Sequence, residues 1–125
     1  MDTKTEKELL EALKDGDVDV RINAARHLNA TPEVLLRALK GKNDRVRWRA
    51  ADNPNATPEV LLVAMRDKHG WVRREAAKNP NATPEVLLLA LKDKYEWVRN
   101  PAKEAMEKNP LLSLQVAAFQ AQTTS

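Results

Sequence analysis

Asn29-Ala30-Thr31-Pro32-Glu33-Val34-Leu35-Leu36 recurs unchanged from Asn55 to Leu62 and from Asn81 to Leu88, a spacing of 26 residues. A period of this length marks a supersecondary unit that buries its apolar face only by stacking on its neighbours. Shifting the chain against itself by 26 residues brings Leu9, Leu10, Ala12 and Leu13 onto Leu35, Leu36, Ala38 and Leu39, so a divergent unit precedes the first octapeptide. A second set of constants follows in each unit: Val20, Val46, Val72 and Val98, then Arg21, Arg47, Arg73 and Arg99, then Ala24, Ala50, Ala76 and Ala102. Four units result, over about residues 3–28, 29–54, 55–80 and 81–109 of a single domain. The Asn-Pro closing the two central units is His27-Leu28 in the first and is delayed to Asn109-Pro110 in the last. End units, with one neighbour each, are expected to depart in this way.

Each unit reads as two helices. Thr31 is placed to accept a backbone N–H as N-cap, Pro32 suits the first helical position because no donor is needed there, and Glu33 meets the positive end of the helix dipole. Val34, Leu35, Ala38 and Leu39 share a face and Leu36 lies off it, so this helix is apolar nearly all round and sandwiched, ending near Gly41. The second segment, Arg45 to Asp52, turns Val46, Ala50 and Ala51 inward, and Pro54 pushes Asn53 to extended geometry. That leaves about two turns, α or partly 3₁₀, held by stacking rather than by propensity. Beyond the repeats, Leu112, Val116 and Phe119 fall at i, i+4 and i+7 after Pro110. This spacing predicts an amphipathic capping helix over about 111–121, with Gln120 to Ser125 fraying. The position of Glu11, Arg37, Val63 and Leu89 turns apolar in the last two units. A small hydrophobic patch is expected there, covered by the capping helix or by weak self-association of an otherwise monomeric chain.

The unit Asn-Pro-Asn-Ala-Thr-Pro-Glu-Val-Leu-Leu, followed by the segment Trp71 to Ala77, resembles the leucine-rich repeat variant family of bacterial helical solenoids over about residues 3–109. The resemblance implies an all-α, right-handed solenoid of four two-helix repeats without strands, the second helix short and often 3₁₀. The stretch Leu13 to Leu28 in the first unit is closer to HEAT-like repeats. One founding member of the family carries an iron–sulfur cluster on cysteines ahead of its repeats; with no Cys in this chain, that cofactor is not implied.

With 125 residues, 42% apolar and 31% charged, the chain has the make-up of one folded, water-soluble domain. No apolar run approaches the roughly 18 residues of a spanning helix. The start Met1 to Glu8 lacks a signal-peptide core, so a cytoplasmic protein without membrane contact is expected. His27 and His69 lie in different units without a ligand partner at useful spacing, and neither metal nor cofactor is expected. There is no Gly-rich phosphate loop and no Ser in a nucleophile context. The carboxylates mostly fall in the first turns of helices, where they answer the dipole. The expectation is no enzyme. The one enzymatic analogy is with DNA glycosylases built of HEAT-like repeats, which use Trp, Asp and Arg on a concave basic surface. Trp48, Asp52 and Arg49 would take those parts, on a chain with fewer repeats than those enzymes have.

Lys and Arg outnumber Asp and Glu by 6 to 3 in the second unit and 5 to 3 in the third, against 5 to 6 in the first and 4 to 4 over 81–106. The central excess contains Arg45, Arg47, Trp48, Arg49, Trp71, Arg73 and Arg74 and runs on to Trp97 and Arg99, a candidate binding face lined by the second helices. Beside the constant Arg21, Arg47, Arg73 and Arg99, the next position varies as Ile22, Trp48, Arg74 and Asn100, as a customised face would. A structural reading competes, in which an Asp before the second helix pairs with an Arg of the same or the next unit. That Asp is Asp15, Asp67 and Asp93 but Gly41 in the second unit, which makes Arg47 the arginine expected to be unpaired. Trp71 and Trp97 read equally as spacers between repeats, whereas Trp48, with Arg74 and Asn100 beside Ile22 among its equivalents, marks a site that tolerates polar exposure. Two functions fit. The favoured one is a scaffold holding a protein partner through Trp and Arg hot spots. The alternative is a nucleic-acid module in which Arg45, Arg47, Arg49, Arg73 and Arg74 contact phosphates while Trp48 stacks. A net charge of +3 permits the second, and 18 acidic residues dispersed through every unit favour the first.

Overall fold

The computed structural model describes residues 3–124, the side chain of Thr124 excepted. Every regular element among the described residues is an α-helix: α1 (Glu6–Ala12), α2 (Val18–Ala25), α3 (Pro32–Ala38), α4 (Asp44–Asp52), α5 (Pro58–Ala64), α6 (Gly70–Lys78), α7 (Pro84–Leu91), α8 (Glu96–Lys108) and α9 (Pro110–Thr124). The threonine signal marks the first helix of each repeat. Oγ1 of Thr31, Thr57 and Thr83 accepts the N–H of Val34, Val60 and Val86, with proline following each threonine. Thr5 caps α1 in a full capping box with Glu8.

The relative lengths expected of the two helices are reversed. α1, α3, α5 and α7 have 7, 7, 7 and 8 residues, while α2, α4, α6 and α8 have 8, 9, 9 and 13. α3 stops at Ala38 because the N–H groups of Lys40 and Gly41 donate to the carbonyls of Arg37 and Ala38, bonds of 3₁₀ type that tighten the last turn. The 3₁₀ character expected in the second helices thus sits at the ends of the first ones. α4 and α6 are regular and end at Asn53 and Asn79, extended before proline. In the last unit Ala105 and Met106 replace that Asn-Pro pair, so α8 runs on to Lys108, with Pro101 inside it.

Helices α1, α3, α5 and α7 stack in one layer and α2, α4, α6 and α8 in a second, each on its equivalent in the next unit, with α9 closing the array against α7 and α8. This is the contact pattern of a helical solenoid. Leu9, Leu35, Leu61 and Leu87 form a buried row, backed by Val46, Val72 and Val98 from the other layer. On α9, Val116 is buried and Leu112 and Phe119 are half-buried against the same core, as the spacing predicts. The helix starts one residue before the expected span and continues to Thr124, through residues expected to fray; Ser125 lies outside the described residues. With α9 in place Val63 and Leu89 remain exposed.

Candidate binding face

The constant arginines belong to the seams between units. Arg47 Nε donates to Asp67 Oδ2 at 2.8 Å and its Nη1 to the carbonyls of Gly41 and Lys42 at 2.9 and 3.0 Å, leaving the residue 6% exposed. Arg73 repeats the arrangement, with Nε and Nη2 on Asp93 at 2.6 and 3.3 Å and Nη1 on the Asp67 carbonyl at 2.8 Å. Each guanidinium therefore satisfies the end of its own first helix and the acid of the following unit. This register overturns the expectation that Arg47 is unpaired, because Gly41 deprives Arg21 of its acid and not Arg47. Arg99 donates to the Asp93 carbonyl at 2.7 Å, with no repeat unit after it. Burial pushes the Asp93 carboxyl upward. The hydrogen bonds from Arg73 and the Tyr95 N–H, with the charges of Arg73 and Lys94, outweigh that and hold it below the ordinary carboxylate value.

Asparagine makes a second seam. Asn53 Nδ2 donates to the carbonyls of Ala25 and His27 at 2.9 and 3.0 Å, and Asn79 Nδ2 to those of Ala51 and Asn53 at the same distances. Asn55 and Asn81 reach back in the same way, to Leu28 and Ala30 and to Pro54 and Ala56. Carbonyls orphaned at the end of one helix are thus satisfied by the next unit. The exact recurrence of these asparagines was the signal in the sequence that could have revealed the seam.

The i, i+3, i+4, i+7 stripe of the second helices carries Arg45, Trp48, Arg49 and Asp52 on α4 and Trp71, Arg74, Glu75 and Lys78 on α6; Glu75 is buried and Trp48 packs partly against the core, while the others reach the surface at least in part. The α8 stripe begins at Trp97. The aromatic rings meet across the helices. Trp48 and Trp71 lie edge to face at 6.4 Å between centroids, Trp71 and Trp97 at 5.8 Å, and Tyr95 stacks on Trp97 at 4.9 Å. Arg49 lies over Trp48 at 4.5 Å and Arg74 over Trp71 at 4.9 Å, while Lys94 and Arg73 approach Tyr95 at 5.2 and 5.9 Å. Gly70 makes room for the row, since a Cβ there would stand 2.6 Å from Trp97 Cη2.

Trp71, Trp97 and Tyr95 are each 40% exposed, so the two tryptophans pack between repeats and still present a ring edge. Trp48 is half-buried and its Nε1 is buried without an acceptor among the described residues, more enclosed than its equivalents Arg74 and Asn100 implied. Arg45 is exposed, and Glu75 is buried between Arg74 and Lys78 at 3.3 and 3.9 Å. Tyr95 is not among the Arg and Trp residues of the face read from the sequence. It stands where Asp17, Asn43 and His69 cap the earlier second helices, yet makes no side-chain cap, and an aromatic at a capping position was the available sign. His69 caps α6 by accepting the Trp71 N–H and places Nε2 3.0 Å from Asp44 on α4, fixing the two helix starts beneath Trp48 and Trp71. Of the trio suggested by the glycosylase analogy, Arg49 lies over Trp48 and 3.9 Å from Asp52, whose carboxylate is more than half exposed to solvent.

No family, curated protein or solved structure matches the chain. No described helix is long and apolar enough to cross a membrane. Among the described residues no group of three or more His, Asp or Glu side chains is placed to hold a metal ion.

Proposed function

We propose that the protein is a non-catalytic binding module, allied to the leucine-rich repeat variant solenoids, that holds a protein partner on the face of α4, α6 and α8. One observation carries the reading: Trp48, Trp71, Trp97 and Tyr95 touch in a continuous row, with Arg49 and Arg74 laid on the first two rings. Aromatic and arginine side chains already ordered by packing lose little freedom when a partner docks, and these residue types dominate binding at protein interfaces. A row of rings flanked by cations also suits stacked bases, so nucleic acid is the second reading. It is the weaker one. Arg47 and Arg73 are held by Asp67 and Asp93, Arg74 lies on Glu75 and Arg49 near Asp52, which leaves Arg45 as the member of the set without an acidic partner among the described residues.

Affinity capture from nuclease-treated extract, comparing the wild type with Trp71→Ala/Trp97→Ala, tests the proposal. A protein retained by the wild type after nuclease and lost by the double variant is the expected result. Capture abolished by nuclease favours the second reading. Equal retention by both proteins refutes the face.

A further inference from the structure

We propose that the cleft between the first and second units binds a carboxylate, gripped by Arg21 and the backbone N–H of Asn43. This goes beyond the aromatic face and does not depend on it. The chain shows twice what this position recognises. Asp67 offers Oδ2 to Arg47 Nε at 2.8 Å and Oδ1 to the N–H of His69 at 2.9 Å. Asp93 offers Oδ2 to Arg73 Nε at 2.6 Å and Oδ1 to the N–H of Tyr95 at 3.1 Å. Each carboxylate is held through both oxygens, by the arginine of the unit before and the backbone of its own loop.

At the first seam both donors are present and the acid is replaced by Gly41. Arg21 Nη1 donates to the carbonyl of Asp15 at 2.6 Å, the counterpart of the bonds from Arg47 to Gly41 and from Arg73 to Asp67. Among the described residues Arg21 Nε and the Asn43 N–H have no acceptor. Glycine is not demanded by the backbone. No glycine has positive φ, and the Gly41 N–H closes its turn on Ala38 at 3.0 Å much as Asp67 and Asp93 close theirs on Ala64 and Ala90 at 3.1 Å. A Cβ added at 41 would meet the Ala38 carbonyl oxygen at 3.1 Å, so that carbonyl must give by a few tenths of an ångström to admit a side chain. A cavity of about 210 Å³ at this seam is lined by Arg21, Gly41 and Val46, by Leu10, Leu13 and Ala38, and by Lys14, Arg37 and Lys40, of which Lys14 lies 3.4 Å from Glu11. The cations attract an anion, and the paired N–H groups select a planar two-oxygen one. Its source is an acidic residue of a partner or a small-molecule carboxylate.

Thermal melts in sodium acetate and in sodium chloride at equal ionic strength, and with an amidated Glu-rich decapeptide, test the site. The expected result is a melting temperature raised by acetate or peptide over chloride in the wild type, and unmoved in Arg21→Gln and Gly41→Asp. Gly41→Asp, carrying its own carboxylate, should melt about 2–5 °C higher than the wild type in chloride. Peptide acting at a concentration at least tenfold below acetate assigns the carboxylate to a macromolecule, and equal potency assigns it to a small molecule. A wild type that responds to neither probe, or a response that survives in Gly41→Asp, overturns the proposal.

Discussion

Arg47 and Arg49 stand two residues apart on α4, turned about 200° from each other around the helix. Arg47 is buried in the seam with Asp67 and two carbonyls, whereas Arg49 lies on the Trp48 ring at the surface. The same side chain closes the solenoid in one place and furnishes a face in the other. Constancy between units marks what each repeat needs from the next, and variation marks what is left over for another molecule.

The sharpest way to break that distinction is in the seam. Arg73→Ala strands Asp93 without its partner, and a loss of about 3–5 kcal/mol in denaturant unfolding is expected. Asn79→Ala leaves the buried carbonyls of Ala51 and Asn53 without a donor and should cost about 2 kcal/mol. The Asp93 carboxyl is depressed in the folded state, so its contribution is complete above the unfolded value near pH 4 and is lost as pH falls through its lower folded value. Stability should therefore fall as pH drops below about 4, and Asp93→Asn should flatten part of that fall in acid titrations. On the face, Trp71→Ala removes two ring contacts and one cation contact together with the area the ring buries, and should cost about 2 kcal/mol.

The repeated octapeptide made the period, the threonine caps and the stacking legible, and the i, i+4, i+7 spacing after Pro110 located α9. The pairing of the arginines was not legible. Asp67 lies six residues before Arg73 and twenty after Arg47, and only the offset between stacked units selects the distant partner for its carboxylate. The helix lengths escaped for a similar reason, since the turn from Ala38 to Gly41 tightens by backbone bonds that no side chain announces. The aromatic row was visible in three of its four members. Tyr95 joined it only when the stack of α6 on α8 brought Trp97 over Gly70.

Denaturant unfolding of Arg47→Ala beside Arg49→Ala tests the division between seam and face most directly. The account predicts that Arg47→Ala loses about 3 kcal/mol or more, because a buried acid is left unpaired. Arg49→Ala should stay within about 1 kcal/mol of the wild type. Equal losses in the two variants, or the larger loss in Arg49→Ala, would contradict it.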